Sequence, residues 1–248
     1  MADVNKSGYT LIFATISCVI CSVLLSGASV SLKEIQDKNK KVDKQRNVLM
    51  AAKLATAETK AEDIENWFKK DEKGNADIKT ILINTDTGLI DETISIEAYS
   101  KKPKNYPKNS IIYECLKTGN ESVILPITGV GLWGKLYGFL ALKPDGDSVL
   151  GISFYSHIET PGLGAEITEQ WFTSQFAGKK LLKTPGDFES FCGVTVKKGI
   201  KVIDLPESEQ AYSVDGISGA TITSNGVTGI TTKYIKEKFL PYFKNKNK

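Results

Sequence analysis

The chain has a single histidine, His157, in 248 residues. That scarcity excludes a histidine-based catalytic triad and any multi-histidine metal centre within it; His157 is read as structural. Cysteine is almost as sparse, at four residues. Cys18 and Cys21 form a C-x-x-C, but they lie in an apolar stretch, outside any βαβ pattern and with no second such pair, so they read as small membrane residues. Thr15, not a leucine, stands three before Cys18, which argues against lipid attachment there. Cys115 and Cys192 are available for one disulfide in an oxidising compartment, though nothing in the sequence brings them together. Charge of one sign is also lacking: 32 basic against 29 acidic side chains leave +3, too little to argue for nucleic acid, and no RNA-binding signature appears. There is no dinucleotide fingerprint and no internal repeat.

What is present is ordinary globular composition, 41% apolar and 25% charged, with one exception. From Ser7 to Leu32 no residue is charged, enough to cross a hydrocarbon core that needs about 20 helical residues. A cleaved signal peptide is the competing reading, with "SGA" at 26–28 as its site, but Lys6 is the only basic residue ahead of the stretch and Asp3 opposes it. The expected organisation is a short tail (1–8), a membrane helix (9–32), a helical stalk (33–75), a globular domain (76–244) and a basic tail (245–248). Residues 33–46 carry six basic and three acidic side chains, so the Lys and Arg count places the C-terminal side in the cytoplasm. The stalk reads equally well as a spacer or as a docking helix for a membrane partner.

Between Asp77 and Tyr155, short runs rich in β-branched and aromatic residues alternate with polar positions and are broken by Gly, Asp and Asn, which predicts strands joined by hairpins. "EITEQWFTSQFAG" predicts one helix with Ile167, Trp171, Phe172 and Phe176 on an apolar stripe. A last helix is predicted from about Ser224 to Tyr242. Strands in sequence with flanking helices make an α+β fold. Thr221 then falls just before the last helix, with Thr223, Ser224 or Asn225 as its cap. Ser218, Gly219 and Ala220 leave the approach to its hydroxyl nearly bare, and a helix start favours a phosphate. Alone this is a weak signal, since most capped Gly-rich turns bind nothing. A second stretch, "SHIETPGLGAE" at 156–166, makes a tight loop where a flat ligand can approach the backbone, and Leu163 there asks for a cover. A third, "GVGLWGKLYGF" at 129–139, offers Trp133 either to a flavin ring or to the core.

Together these stretches resemble the C subunit of the bacterial sodium-translocating NADH:quinone oxidoreductase, through "DKQRNVL" at 43–49, "GLWGKLYGFLAL" at 131–142, "ETPGLGAE" at 159–166 and "DGISGATITSNG" at 215–226. The resemblance implies FMN attached covalently through a phosphoester to Thr221, the threonine of the S-G-A-T motif. It implies that Asp215, Ser218, Gly219 and Ala220 assist a separate flavin transferase, which moves FMN from FAD onto the threonine. It further implies that Trp133, Glu159, Thr160, Leu163 and Gly164 line the ring, with Thr160 as a hydrogen-bonding residue. The implied protein is an electron-transfer subunit, inactive alone, in a single pass through the bacterial inner membrane beside other membrane and flavin-bearing subunits. The implied flavin domain is periplasmic, against the Lys and Arg count. The G subunit of the Rnf-type ferredoxin:NAD oxidoreductase shares the flavin-bearing motif, and "DKQRNVL" favours the first family. A membrane-tethered binding module without redox chemistry is the reading from another class.

Overall fold

A computed structural model describes residues 7–71 and 74–246; the expected tails, 1–8 and 245–248, fall partly outside the described residues. α1 (Ser7–Ala51) is one helix of 45 residues, about 68 Å at 1.5 Å per residue. Its N-terminal part is long and apolar enough to cross a membrane, and Leu11, Phe13, Val19 and Leu24 are exposed along it. Contacts divide the chain into two compact units, one up to Asp43 and one from Lys44 onwards. The last two turns of α1, within the stretch expected as a stalk, therefore belong to the globular unit, as does α2 (Ala61–Phe68).

The globular unit is α+β. Its sheet holds β1 (Ile78–Asn84), then, after α3 (Ile96–Lys101), β2 (Asn109–Cys115), β3 (Ser122–Val130), β4 (Lys135–Leu142) and β5 (Val149–Ser156). The five strands lie in chain order and are all antiparallel, the meander the turn residues predict. The expected alternation of apolar and polar positions is largely absent. Most of β3, β4 and β5 is buried on both faces, so these strands read as nearly continuous apolar runs. One face carries Leu125, Ile127, Leu136, Leu140 and Ile152 into the main core. The other is covered by the end of α1 and by α2: Val48, Leu49 and Ile64 are fully buried, Ser153 Oγ donates to the Asn47 carbonyl at 2.9 Å, and Phe68 meets Tyr113 edge-on. Gly151 lets the Ala51 carbonyl come within 2.6 Å of where a Cβ would stand.

The segment predicted as one helix over 166–176 is broken. Two 3₁₀ turns, Gly164–Thr168 and Ser174–Phe176, flank α4 (Gln170–Thr173). Glu169 is extended (φ −72°, ψ 147°) and interrupts the helical ladder. Ile167, Phe172 and Phe176 still reach the core, but Trp171 is exposed and donates its indole N–H to Glu166 at 2.9 Å. β6 (Thr195–Lys197) pairs in parallel with β7 (Ser213–Asp215), with α5 (Glu207–Gln210) between them.

The last helical region starts earlier than predicted. α6 (Thr221–Gly229) widens into a π turn over Ile230–Tyr234 and leads to α7 (Ile235–Lys238) and α8 (Leu240–Lys246). α8 extends into the expected tail, where Asn245 Nδ2 donates to the Thr87 carbonyl at 2.6 Å. α6 crosses β3 at backbone distance, because a Cβ on Gly226 would collide with the Val130 carbonyl. Gly226→Ala is expected to cost about 2 kcal/mol through overpacking, read as a lower urea midpoint of the full chain; an unchanged midpoint would show that the helix can move away freely.

The disulfide considered for Cys115 and Cys192 is not formed. Both are free thiols, Cys192 donating to the Leu181 carbonyl, and burial pushes both thiols above their ordinary range.

Candidate functional site

Three loops converge at one end of the sheet. The β3–β4 turn, "GLWG" at 131–134, is closed by Gly131 N–H donating to the Gly134 carbonyl at 2.7 Å, which turns Leu132 and Trp133 outward. The chain after β5 folds back at Thr160, whose carbonyl accepts from Leu163 and Ala165 N–H at 3.1 Å each. Gly162 sits there at φ +73°, a conformation only glycine adopts without strain. The third loop enters α6 through Gly219, also at φ +73°.

Glu159 joins the three. The residue is 5% exposed; its carboxylate accepts from Trp133 N–H at 2.9 Å and Leu132 N–H at 3.1 Å, and from the Thr223 hydroxyl on α6. Its own N–H donates to His157 Nδ1 at 3.2 Å, a structural use of the lone histidine. The closeness depends on glycine: a Cβ on Gly164 would stand 2.6 Å from both Glu159 Oε2 and Thr223 Oγ1, and one on Gly131 would be 2.5 Å from Oε1. Burial raises the Glu159 pKa, but the Thr223 hydroxyl and the Trp133 and Leu132 N–H groups outweigh it and hold the carboxyl below its ordinary value. A depressed pKa stabilises the fold fully above the unfolded value, about 4.3, and that contribution is lost as pH falls through the folded value. Urea midpoints should therefore drop in acid, and the gap between wild type and Glu159→Gln should shrink there; a gap independent of pH would mean that the carboxylate charge contributes nothing.

The capping expectation is corrected by the same contact. Thr221 is the first residue of α6, the N-cap is Ala220, and no side chain caps the helix. Thr223 cannot cap because its hydroxyl is held by Glu159. Thr221 is half-buried, and among the described residues its hydroxyl has no hydrogen-bond partner. Ser218 and Gly219 are exposed and Ala220 is buried, so no bulky side chain of these three stands beside it. Asp215 is committed inward: its carboxylate accepts from Val202 N–H at 2.6 Å, and its own N–H donates to Gln175 Oε1 at 2.7 Å.

Thr221 stands between two cavities. One, about 200 Å³, is lined by Leu132, Glu159, Thr160, Leu163, Gly164 and Ile222, among others. Leu132, Leu163 and Ile222 in its wall are exposed, and Trp133 (63% exposed) is held beside it by donating Nε1–H to Thr160 Oγ1 at 3.0 Å. That bond leaves the Thr160 hydroxyl proton to donate elsewhere. Trp133 is thus not a core residue. The other cavity, about 500 Å³, is lined by Trp171, Lys198, Lys201, Asp215 and Ser224, among others. Ser224 is buried and its hydroxyl has no partner. The five residues expected around the ring (Trp133, Glu159, Thr160, Leu163 and Gly164) and Ser218, Gly219, Ala220 and Thr221 are therefore neighbours, with Asp215 on the far side of Thr221. Nothing in the sequence marks Thr223 for more than capping, and Leu132 and the lysine loop at 197–201 carry no signal of their own there.

The three converging loops and the start of α6 fall within residues 131–236, which match the family model described as an FMN-binding domain. The C subunit of the Na(+)-translocating NADH-quinone reductase of Yersinia pestis is 34% identical over 97% of this chain and 93% of its own length. Its counterpart in Pseudomonas aeruginosa is 33% identical over 93% and 92%. Crystal structures of the same protein from Parabacteroides distasonis (27% identical, 84% of this chain and 96% of that one, TM-score 0.64) and of NqrC from Shewanella oneidensis (29%, 84% and 98%, 0.65) share the fold. The chain belongs to this family, NqrC, the C subunits of the Na(+)-translocating NADH-quinone reductase.

Proposed function

We propose that the chain is the electron-transfer subunit of a sodium-translocating NADH:quinone reductase and carries FMN covalently on Thr221 through a phosphoester. The observation that carries this reading is the Thr221 hydroxyl itself, unpartnered among the described residues and set at an uncapped helix start with small residues before it. The residues present fit the group. The first turn of α6 supplies backbone N–H groups and a partial positive charge to a phosphate, and the buried Ser224 hydroxyl lacks a partner. FMN supplies the redox chemistry; the chain's residues hold and orient it. Leu132, Trp133 and Leu163 offer apolar surface to the ring, Thr160 offers its hydroxyl proton, and Glu159 fixes the turn that carries Leu132 and Trp133 to the helix that carries Thr221.

A pocket of about 200 Å³ is smaller than the roughly 300 Å³ at which sites begin to enclose a ligand. Such a pocket would leave the ring of a bound FMN partly exposed to a neighbouring protein of the complex, and a covalent bond would replace affinity in retaining it. A flavin transferase makes that bond, with Ser218, Gly219 and Ala220 leaving the approach open and Asp215 holding the neighbouring loop in place. In the same reading α1 anchors the chain in the bacterial inner membrane, with the flavin domain on the periplasmic side and the other subunits of the complex fixing that orientation against the Lys and Arg bias.

The test is a complex reassembled with Thr221→Ala in this chain. Sodium-dependent electron flux from NADH to quinone is expected to fall to background while the subunits still co-purify. Flux at the wild-type level would remove this chain from the electron path.

A further inference from the structure

The cavity on the far side of Thr221 shares only Gly219 and Thr221 with the one lined by Leu163. Lysines line it where none lines the other, and it contains a defect that asks for a ligand: Ser224 is 3% exposed, lines the cavity, and its hydroxyl finds no partner. A buried hydroxyl without a hydrogen bond costs free energy, and native interiors rarely leave one so. Thr221 and Ser224 are three residues apart on α6, hence on the same face, and both line this cavity. The intrahelical ladder begins only at Ser224, whose N–H donates to the Ala220 carbonyl at 2.9 Å, so the N–H groups ahead of it have no acceptor within the helix.

Positive charge completes the wall. Lys198 and Lys201 line the cavity, while Lys197 is tied to Glu209 at 3.0 Å. The loop that carries them is fixed to β7 through the Asp215 carboxylate and Val202 N–H. Asp215 also lines the cavity, with its carboxylate already engaged by Val202 N–H.

We propose that this lysine-rimmed cavity is the seat of the phosphate of the tethered flavin, with Ser224 Oγ as its buried hydrogen-bond donor and Lys198 and Lys201 balancing its charge. The proposal rests on the covalent reading of Thr221. It divides the labour at α6: phosphate on the Ser224 side, ring on the Leu163 side, with the cofactor passing over Gly219, where any Cβ would stand 2.8 Å from Leu163 Cδ2.

The experiment uses the full chain in detergent, made with and without the flavin transferase, and titrates inorganic phosphate by calorimetry or by phosphorus NMR line width. The flavin-free chain is expected to bind phosphate. Ser224→Ala should weaken that binding by about tenfold, the loss of one charge-assisted hydrogen bond, and Lys198→Ala with Lys201→Ala should weaken it and flatten its salt dependence. The flavinylated chain should bind phosphate at least about tenfold more weakly, its seat being filled. Equal affinity in wild type and Ser224→Ala, or undiminished binding by the flavinylated chain, would overturn the assignment. Intact mass separates the two levels: no FMN on the transferase-treated chain removes the tether and this seat with it, whereas a tether with unaltered phosphate binding removes the seat alone. Melting curves of the two variants, expected to overlay that of the wild type, keep misfolding from being read as lost binding.

Discussion

Thr221→Ala is expected to abolish in-gel flavin fluorescence of the denatured chain completely, under conditions where the wild type fluoresces after treatment with FAD and the transferase. The fold should not suffer. Thr221 occupies the first position of α6 without capping it, its hydroxyl has no partner among the described residues, and alanine is a better helix former. The change in stability should stay within about 0.5 kcal/mol. Two neighbours make the comparison sharp. Thr221→Ser keeps an oxygen at the same place and should keep the flavin. Thr223→Ala removes a hydroxyl two residues on, but that hydroxyl serves Glu159, so this variant should lose about 1 kcal/mol of stability and keep its flavin. Fluorescence that survives in Thr221→Ala and vanishes in Thr223→Ala would reverse the roles given to the two threonines.

Glu159→Ala should have the largest effect on stability, about 3 kcal/mol. Its carboxylate is buried and accepts from two backbone N–H groups and one hydroxyl. Its removal leaves all three donors unpaired and opens a cavity between the β3–β4 turn and α6. Glu159→Gln keeps an acceptor but turns an amide N–H₂ toward one of the donors, and about half that loss is expected. The readout is the urea midpoint of the flavin-free chain, which separates the clasp from any contact with the ring. Loss of less than about 0.5 kcal/mol in Glu159→Ala would show that the three loops hold together without it.

From β2 to β5 the meander is legible in the sequence because each short connection holds Gly, Asp or Asn, whereas the link over 85–108 from β1 to β2, with α3 inside it, is no hairpin. The site is legible in pieces: the glycine-rich loop, the exposed tryptophan and the bare threonine each carry a local signal. What joins them does not. Glu159 and Thr223 are 64 residues apart, and no periodicity reports a hydrogen bond between loops. The same limit hides the role of the end of α1, whose helical pattern says nothing of the sheet face it covers. The break at Glu169 is masked because a stripe of Ile167, Phe172 and Phe176 survives it. The residue type of Ser224 suggests a cap, a reading that depends on a helix start placed three residues too late.

One covalent bond underlies the proposed function, and the most direct measurement is the mass of the wild-type chain exposed to FAD and the transferase, followed by mapping of the peptide that contains residues 215–226. The prediction is a gain of one FMN less one water, located on Thr221. A chain of unchanged mass beside an active transferase, or a flavin located on another residue, would contradict it.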